Sequence, residues 1–112
     1  MNLLEHEAKA ILQQYTVPVP RSVVYHTDDA LPQAPVVLKS QVHSGGRGKA
    51  GGVVVVRDQG EVEYVARDIL RLEIKGETPT ALLAEEVLAI AHEYYLSLVL
   101  CPYVYFTSFY KK

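Results

Sequence analysis

The 112-residue sequence contains one cysteine, no tryptophan and little excess charge. A single Cys101 cannot form an internal disulfide, which excludes a disulfide-stapled secreted scaffold and a zinc site built from several cysteines. With a formal net charge of −2, the chain lacks the strongly basic composition that favours nucleic-acid binding. We therefore expect a reducing, cytoplasmic location and no nucleic-acid partner.

Long apolar runs are also scarce. Residues 1–7 carry acids and no positively charged stretch, so they do not resemble a signal peptide. The longest uncharged run, residues 94–110, approaches the roughly 18–20 residues of a membrane span but contains Pro102 and five tyrosines. We therefore expect no membrane-spanning helix.

Hydrophobic spacing predicts two helices. Apolar side chains recur at helical intervals over residues 3–15 and 59–73, and Arg67 and Arg71 fall opposite the apolar side of the second segment. Asn2 and Glu5 resemble a capping pair for the first helix. Short apolar segments predict strands at residues 22–25, 36–42, 53–56, 82–88 and 93–100. The elements form a mixed α/β order.

Glycines and positive charge coincide in one part of the chain. Five of the seven glycines lie within residues 45–52, between two predicted strands. No acid occurs between Ala30 and Arg57, which include four basic residues, whereas the rest of the chain has 13 acids and 7 bases. Because glycines let backbone N–H groups approach an anion closely, this pattern favours a phosphate ligand, with Lys39 on the preceding strand. An ordinary hairpin turn and a solvated lysine are the alternative.

The glycine-rich segment fits neither common helix-based phosphate motif. Residues 46–51 satisfy G-x-G-x-x-G, but a strand of valines follows where a dinucleotide site needs a helix. No Gly-Lys pair precedes Ser or Thr, so the P-loop pattern also fails. A glycine hairpin that lies over the phosphates, as in kinase-like sites, fits the order strand, loop, strand. For His43, which has no second histidine nearby, we expect a structural hydrogen bond rather than a ligand or base role.

Three segments together resemble one family, the β subunit of succinyl-CoA synthetase (ADP-forming succinate–CoA ligase), an ATP-grasp protein. They are Asn2-Leu3-x-Glu5 with Ala8-Lys9, the run from Lys39 through Gly45-Gly46-Arg47-Gly48-Lys49-Ala50-Gly51-Gly52 to Val53, and Ile90-Ala91-x-Glu93-x-Tyr95-Leu96. The resemblance covers residues 1 to about 100 and corresponds to the N-terminal quarter or so of such a subunit.

The resemblance implies an α+β fold, the N-terminal part of an ATP-grasp fold with a mixed sheet and flanking helices. It implies ATP as the cofactor, with Mg²⁺ whose ligands are expected beyond this chain. It also implies a ligase in which succinate, coenzyme A and ATP give succinyl-CoA, ADP and phosphate through a phosphohistidine on a partner α subunit.

Carried onto this sequence, the resemblance implies a phosphate site and an adenosine site. Lys39 would contact the nucleotide phosphates, and Gly46, Arg47 and Gly48 would form the loop over them. No catalytic residue is expected in this chain.

For the adenosine, Glu85 would begin a segment whose backbone groups, through Leu88, bind adenine. Glu93 would accept a hydrogen bond from a ribose hydroxyl, for which a carboxylate is well suited. From the residues alone, Glu85 and Glu86 read instead as an exposed strand face.

The chain departs from the family pattern in two places. Residues 26–35 are too short for the crossover helix expected there, and after Leu100 the sequence diverges. We therefore expect a truncated chain with a partial ATP-grasp domain over residues 1–100 and a divergent aromatic tail over residues 101–112. The alternative function is a catalytically inactive remnant or an interaction module that retains the fold.

Aromatic residues concentrate at the end of the chain, where residues 94–110 contain seven of the ten. They indicate either a buried edge strand or an exposed aromatic surface. Strand alternation predicts one aromatic face against the core and one toward solvent, with self-association through the exposed face.

Overall fold

A computed structural model describes residues 2–100 and 105–111, and Met1, residues 101–104 and Lys112 lie outside the described part. The elements are α1 Glu5–Gln14, β1 Ser22–Tyr25, β2 Val36–Ser40, β3 Val53–Val56, α2 Gln59–Arg71, β4 Leu82–Glu86, β5 Tyr94–Leu100 and β6 Tyr105–Lys111. The α+β class is confirmed. The expected tail, residues 101–112, falls partly outside the described residues. In the part of the chain that is described, no helix has the length and apolar character to cross a membrane.

Four strands form one sheet in the order β1-β4-β2-β3. Every described pair in it is antiparallel, with Lys39 opposite Val53 on one side and opposite Leu83 on the other. The sheet is thus antiparallel, where a mixed sheet was expected. For β2 and β3 the reason is that the glycine-rich connection folds as a hairpin, and a hairpin joins antiparallel strands.

Helix α2 covers one face of this sheet. Asp58 precedes it and accepts a hydrogen bond from the Gly60 N–H at 2.8 Å, which caps the first turn. Arg67 and Arg71 lie on its exposed side, as the spacing predicts. The core between helix and sheet consists of apolar side chains, namely Tyr25, Val36, Leu38, Val56, Val62, Ala66, Ile69, Leu82 and Ala84.

Helix α1 lies against the other face. Successive strand residues point to opposite faces, so Lys39 and Glu85 face away from α2, and it is α1 that contributes their partners. The helix begins at Glu5, with Leu4 as its N-cap, and the Leu4 N–H donates to the Glu7 carboxylate at 2.7 Å. The expected Asn2–Glu5 capping pair is therefore wrong. The helix starts two residues later than that pair requires, and this leaves Glu5 able to reach the sheet.

Strands β5 and β6 form a separate two-stranded hairpin. The rings of Tyr95 and Tyr110 stack with centroids 4.9 Å apart on one face, and those of Tyr94 and Phe109 stack at 5.6 Å on the other. All four side chains are exposed. Both the buried edge strand and the expected packing of one aromatic face on the core are wrong for these residues. Among the described strands β5 pairs only with β6, so the hairpin is not a continuation of the four-stranded sheet.

Candidate functional site

The glycine-rich loop, residues 45–52, joins β2 to β3 as a compact turn. The Ser40 N–H donates to the Gly52 carbonyl at 2.7 Å, and the Gly52 N–H donates to the Arg47 carbonyl at 2.7 Å. Gly46 and Gly51 have φ of +83° and +87°, a conformation that strains residues with a side chain. The strand that follows confirms that the G-x-G-x-x-G match is not a dinucleotide motif.

The outer part of this loop presents open backbone. Within residues 2–100, no protein acceptor takes the N–H groups of residues 45–49. A Cβ atom at Gly45 or Gly48 would meet nothing within 4 Å. Consecutive backbone N–H groups without protein partners form a surface that suits an anionic ligand.

Lys39 lies below the loop on β2 and is held between two carboxylates. Its Nζ lies 2.7 Å from Oε1 of Glu85 and 3.0 Å from Oε1 of Glu5. Partial burial acts to lower the pKa of Lys39, but the hydrogen bonds to Glu85 and Glu5 outweigh it and raise the pKa above its usual 10.5. The Lys39 side chain therefore stays positively charged at neutral pH.

Arg47 reaches from the loop to the same carboxylate of α1. One guanidinium nitrogen donates to the Ser40 carbonyl at 2.9 Å, and the other binds Oε2 of Glu5. Burial acts to raise the pKa of Glu5, but the hydrogen bond from Lys39 and the charge of Arg47 outweigh it and lower the pKa. Glu5 is thus an ionised carboxylate that bridges Lys39 and Arg47.

Glu85 is buried on β4 and has both carboxylate oxygens occupied. Oε1 binds Lys39, and Oε2 binds the Lys9 ammonium at 2.6 Å. Lys9 also donates to the Pro20 carbonyl at 2.8 Å. The alternative interpretation of Glu85 as an exposed strand residue is therefore wrong. We call the five linked side chains the charge network: Lys9, Glu85, Lys39, Glu5 and Arg47.

The two remaining site candidates, Leu88 and Glu93, follow β4. Because β4 runs antiparallel to β2, its last residue, Glu86, lies opposite Val36, at the far end of β2 from the loop. Val36 and Ser40 are four residue steps apart along β2, or about 14 Å. Leu88 and Glu93 are exposed and have no bond to the charge network. The structure thus brings Lys39, Arg47 and Glu85 together near the loop and places the other two candidates beyond the end of β4.

Sequence reasoning missed the roles of three charged residues: Glu5 and Lys9 in the charge network and Lys75 beside the loop. The sequence did contain one signal. Lys39 lies among apolar strand residues and therefore requires a counter-charge, which Glu5 and the buried Glu85 provide. Lys75 lies in a tight turn, and its Nζ lies 3.9 Å from where a Cβ on Gly46 would stand. Its ammonium therefore adds positive charge to the loop, a position that no local motif indicated.

His43 forms the structural hydrogen bond that was expected. Its backbone N–H donates to Oε2 of Glu77 at 2.9 Å, and its Nδ1 lies 2.8 Å from Oε1 of the same carboxylate. Desolvation acts to raise the pKa of Glu77, but the hydrogen bonds from His43 together outweigh it and lower the pKa below its usual 4.5. The described residues contain no cluster of three or more His, Cys, Asp or Glu side chains that could hold a metal ion.

The glycine hairpin between antiparallel strands and the lysine beneath it agree with the family match. The ATP-grasp domain family matches residues 2–102, and the chain belongs to this family.

The curated relatives are more specific. The chain is 45% identical over 103 residues to the succinate–CoA ligase [ADP-forming] subunit beta of Ignicoccus hospitalis, a match that covers 87% of this chain and 27% of the relative. It is 44% identical over 113 residues to the corresponding ADP-forming subunit of Solibacter usitatus, covering 89% and 29%. It is 44% identical over 106 residues to the succinate–CoA ligase [GDP-forming] subunit beta of Thermus thermophilus, covering 89% and 28%. The chain thus spans less than a third of the length of these relatives.

Proposed function

We propose that this chain is the nucleotide-binding N-terminal part of an ATP-dependent acid–CoA ligase. The reaction of the whole enzyme converts succinate, coenzyme A and ATP to succinyl-CoA, ADP and phosphate through a phosphohistidine on an α subunit. The observation that carries this proposal is the position of the charged Lys39 ammonium beside a loop of open backbone N–H groups. The names of the relatives support the choice of reaction.

The loop and its cations suit the phosphates of ATP. The charge network contains three cations and two carboxylates, so its net charge is positive, and Lys75 adds another cation beside Gly46. Arg47 and the neighbouring glycines Gly46 and Gly48 would cover the phosphates, with Lys39 on the strand below. Glycine at these positions keeps the backbone close enough for N–H groups to bind oxygen atoms directly.

The end of β4 supplies the adenosine contacts in this proposal. The separation of about 14 Å along β2 between the loop and the end of β4 suits an extended nucleotide. In the proposed adenine segment, Glu85 to Leu88, the first two residues pair with neighbouring strands on both sides, and the Glu86 N–H donates to the Arg21 carbonyl at 2.9 Å. The backbone groups that would bind adenine are therefore those of Val87 and Leu88, and the exposed Glu93 carboxylate would accept from a ribose hydroxyl. Since both oxygens of Glu85 already bind lysines, its side chain would act on the nucleotide through Lys39.

The cofactor in this proposal is ATP with Mg²⁺, and the metal ligands would come from outside the described residues. We assign residues 1–100 to a partial ATP-grasp domain and residues 101–112 to a divergent tail. The partner is an α subunit that carries the phosphohistidine.

ATP binding by the 112-residue chain tests the nucleotide site. Lys39→Ala removes a charge-assisted contact, which weakens ATP binding by about tenfold to a hundredfold in calorimetric titration. Lys111→Ala, which removes the same charge from the exposed end of β6, is the matched control and leaves the dissociation constant unchanged. An unchanged constant for Lys39→Ala removes Lys39 from the site, and failure of the wild-type chain to bind ATP contradicts the proposal.

A second candidate function is a catalytically inactive interaction module, and the exposed β5–β6 hairpin favours it. The two candidates differ in turnover. The chain is assayed with ATP, Mg²⁺, succinate, coenzyme A and an α subunit, and formation of succinyl-CoA excludes the inactive module.

A further inference from the structure

We infer that the Glu5 carboxylate is an internal anion that occupies a phosphate position between Lys39 and Arg47 and is displaced when nucleotide binds. This inference rests on the proposed nucleotide site and adds a residue that limits its affinity. The supporting geometry is direct: one oxygen of Glu5 binds Lys39 at 3.0 Å and the other binds Arg47. A ligand oxyanion that takes the same donors of Lys39 and Arg47 replaces this carboxylate.

Of the two carboxylates on Lys39, Glu5 is the one able to leave. Glu85 lies within a strand, its side chain is 10% exposed, and each of its oxygens binds a lysine. Glu5 is the first residue of α1, and its side chain is 24% exposed. Rotation of the Glu5 side chain toward solvent breaks no backbone hydrogen bond.

The displaced carboxylate remains in a favourable position. A negative charge in the first turn of a helix interacts well with the positive end of the helix dipole, and Glu5 keeps this interaction after it leaves Lys39. Lys39 meanwhile keeps Glu85 as its second partner. The charge network without Glu5 has three cations facing one carboxylate, which increases its attraction for a polyanion.

The inference predicts that removing the Glu5 carboxylate tightens binding. Glu5→Gln keeps the size of the side chain but no longer competes as an anion, so we expect MgATP and inorganic triphosphate to bind about tenfold more tightly. Glu7→Gln is the matched control, since Glu7 lies in the same helical turn and its carboxylate caps Leu4 rather than binding a cation. It changes the net charge equally, and we expect less than a twofold effect.

A second variant separates displacement from general electrostatics. Glu5→Asp retains the charge but shortens the side chain by one methylene, so it no longer spans Lys39 and Arg47. It is therefore expected to tighten triphosphate binding about threefold or more, as part of the contact that the ligand must break is already lost. A residue that merely positioned Lys39 would give the opposite sign, since its loss would weaken binding.

Each outcome of these titrations decides a separate point. Measurable binding by the wild-type chain, tighter binding by both Glu5 variants and an unchanged constant for Glu7→Gln support the internal anion. Wild-type binding with equal or weaker binding by both Glu5 variants overturns the inference and leaves the proposed function standing. Absence of binding by all four proteins overturns both. Circular dichroism of each variant before titration verifies that it is folded, and Glu5→Asp carries the test where Glu5→Gln fails to fold.

Discussion

Lys9 and Lys39 share one carboxylate, with their Nζ atoms 2.6 Å and 2.7 Å from the two oxygens of Glu85. Lys9 lies on α1, Lys39 on β2 and Glu85 on β4, so the two ion pairs join the helix to the sheet. Buried lysines require such partners, because an ammonium without a counter-charge is strongly disfavoured away from water. The same arrangement places the Lys39 charge near the glycine-rich loop.

Loss of this shared carboxylate is expected to destabilise the fold. Glu85→Gln leaves the buried Lys9 and the partly buried Lys39 short of a counter-charge, and breaking a buried pair in this way lowers the free energy of unfolding by about 3 kcal/mol. Glu86→Gln is the matched control on the next residue, because its partner Arg21 is almost fully exposed. Urea unfolding measures the stability of both variants. Equal losses would contradict a larger contribution from the ion pairs of Glu85 than from the exposed pair of Glu86 and Arg21.

The close packing around Gly52, at the end of the loop, predicts that this position requires glycine. A Cβ at Gly52 would lie 2.8 Å from Cδ1 of Ile74 and 3.0 Å from the Arg47 carbonyl oxygen. Gly52→Ala is therefore expected to lower stability by about 1–3 kcal/mol through overpacking. At Gly45 the Cβ has open space, so Gly45→Ala serves as the control with little change. Comparable melting temperatures for the two variants would contradict the contact.

The charge network also predicts how stability depends on pH. The pKa of Glu5 is lowered from 4.5 in the folded state, so its stabilising contribution is complete above that value and is lost as the pH falls through the folded-state pKa. The stability difference between wild type and Glu5→Gln should therefore shrink on acidification below pH 4.5. Lys39, whose pKa is raised, contributes at all pH values below its usual 10.5. Unfolding curves from neutral to acid pH measure the stability difference between the two proteins. A difference that stays constant with pH would contradict the stabilising role of the ionised Glu5 carboxylate.

The hairpin predicts self-association. Leu96 and Leu98 are 71% and 74% exposed on β5, and an apolar strand with open faces pairs readily with another chain. Sedimentation velocity over a concentration series should show oligomers for the wild-type chain and more monomer for the double variant Leu96→Lys, Leu98→Lys. Val23→Lys, which alters a 70% exposed valine of β1, is the control and should associate like the wild type. A monomer at every concentration would contradict this prediction.

Most secondary structure was predictable because it depends on local patterns. Helical spacing indicated α1 and α2, and β-branched runs indicated β2 and β3, to within a few residues at each end. The strand prediction for residues 82–88 was two residues too long, since regular pairing ends at Glu86. The packing of the hairpin was not predictable, because a strand's two-residue alternation does not say whether another layer exists to cover either face.

The sequence by itself determined that an acid-free, basic, glycine-rich loop stands between two strands, with Lys39 just before it. The order and types of the residues are sufficient for that conclusion, because strand propensity and loop formation depend on residues that are close in the chain. Only the tertiary structure decided which charges surround Lys39. The antiparallel register brings Glu85 beside it, and the start of α1 brings Glu5. Ion pairs form between side chains that are close in space, and separation along the chain carries no record of that proximity.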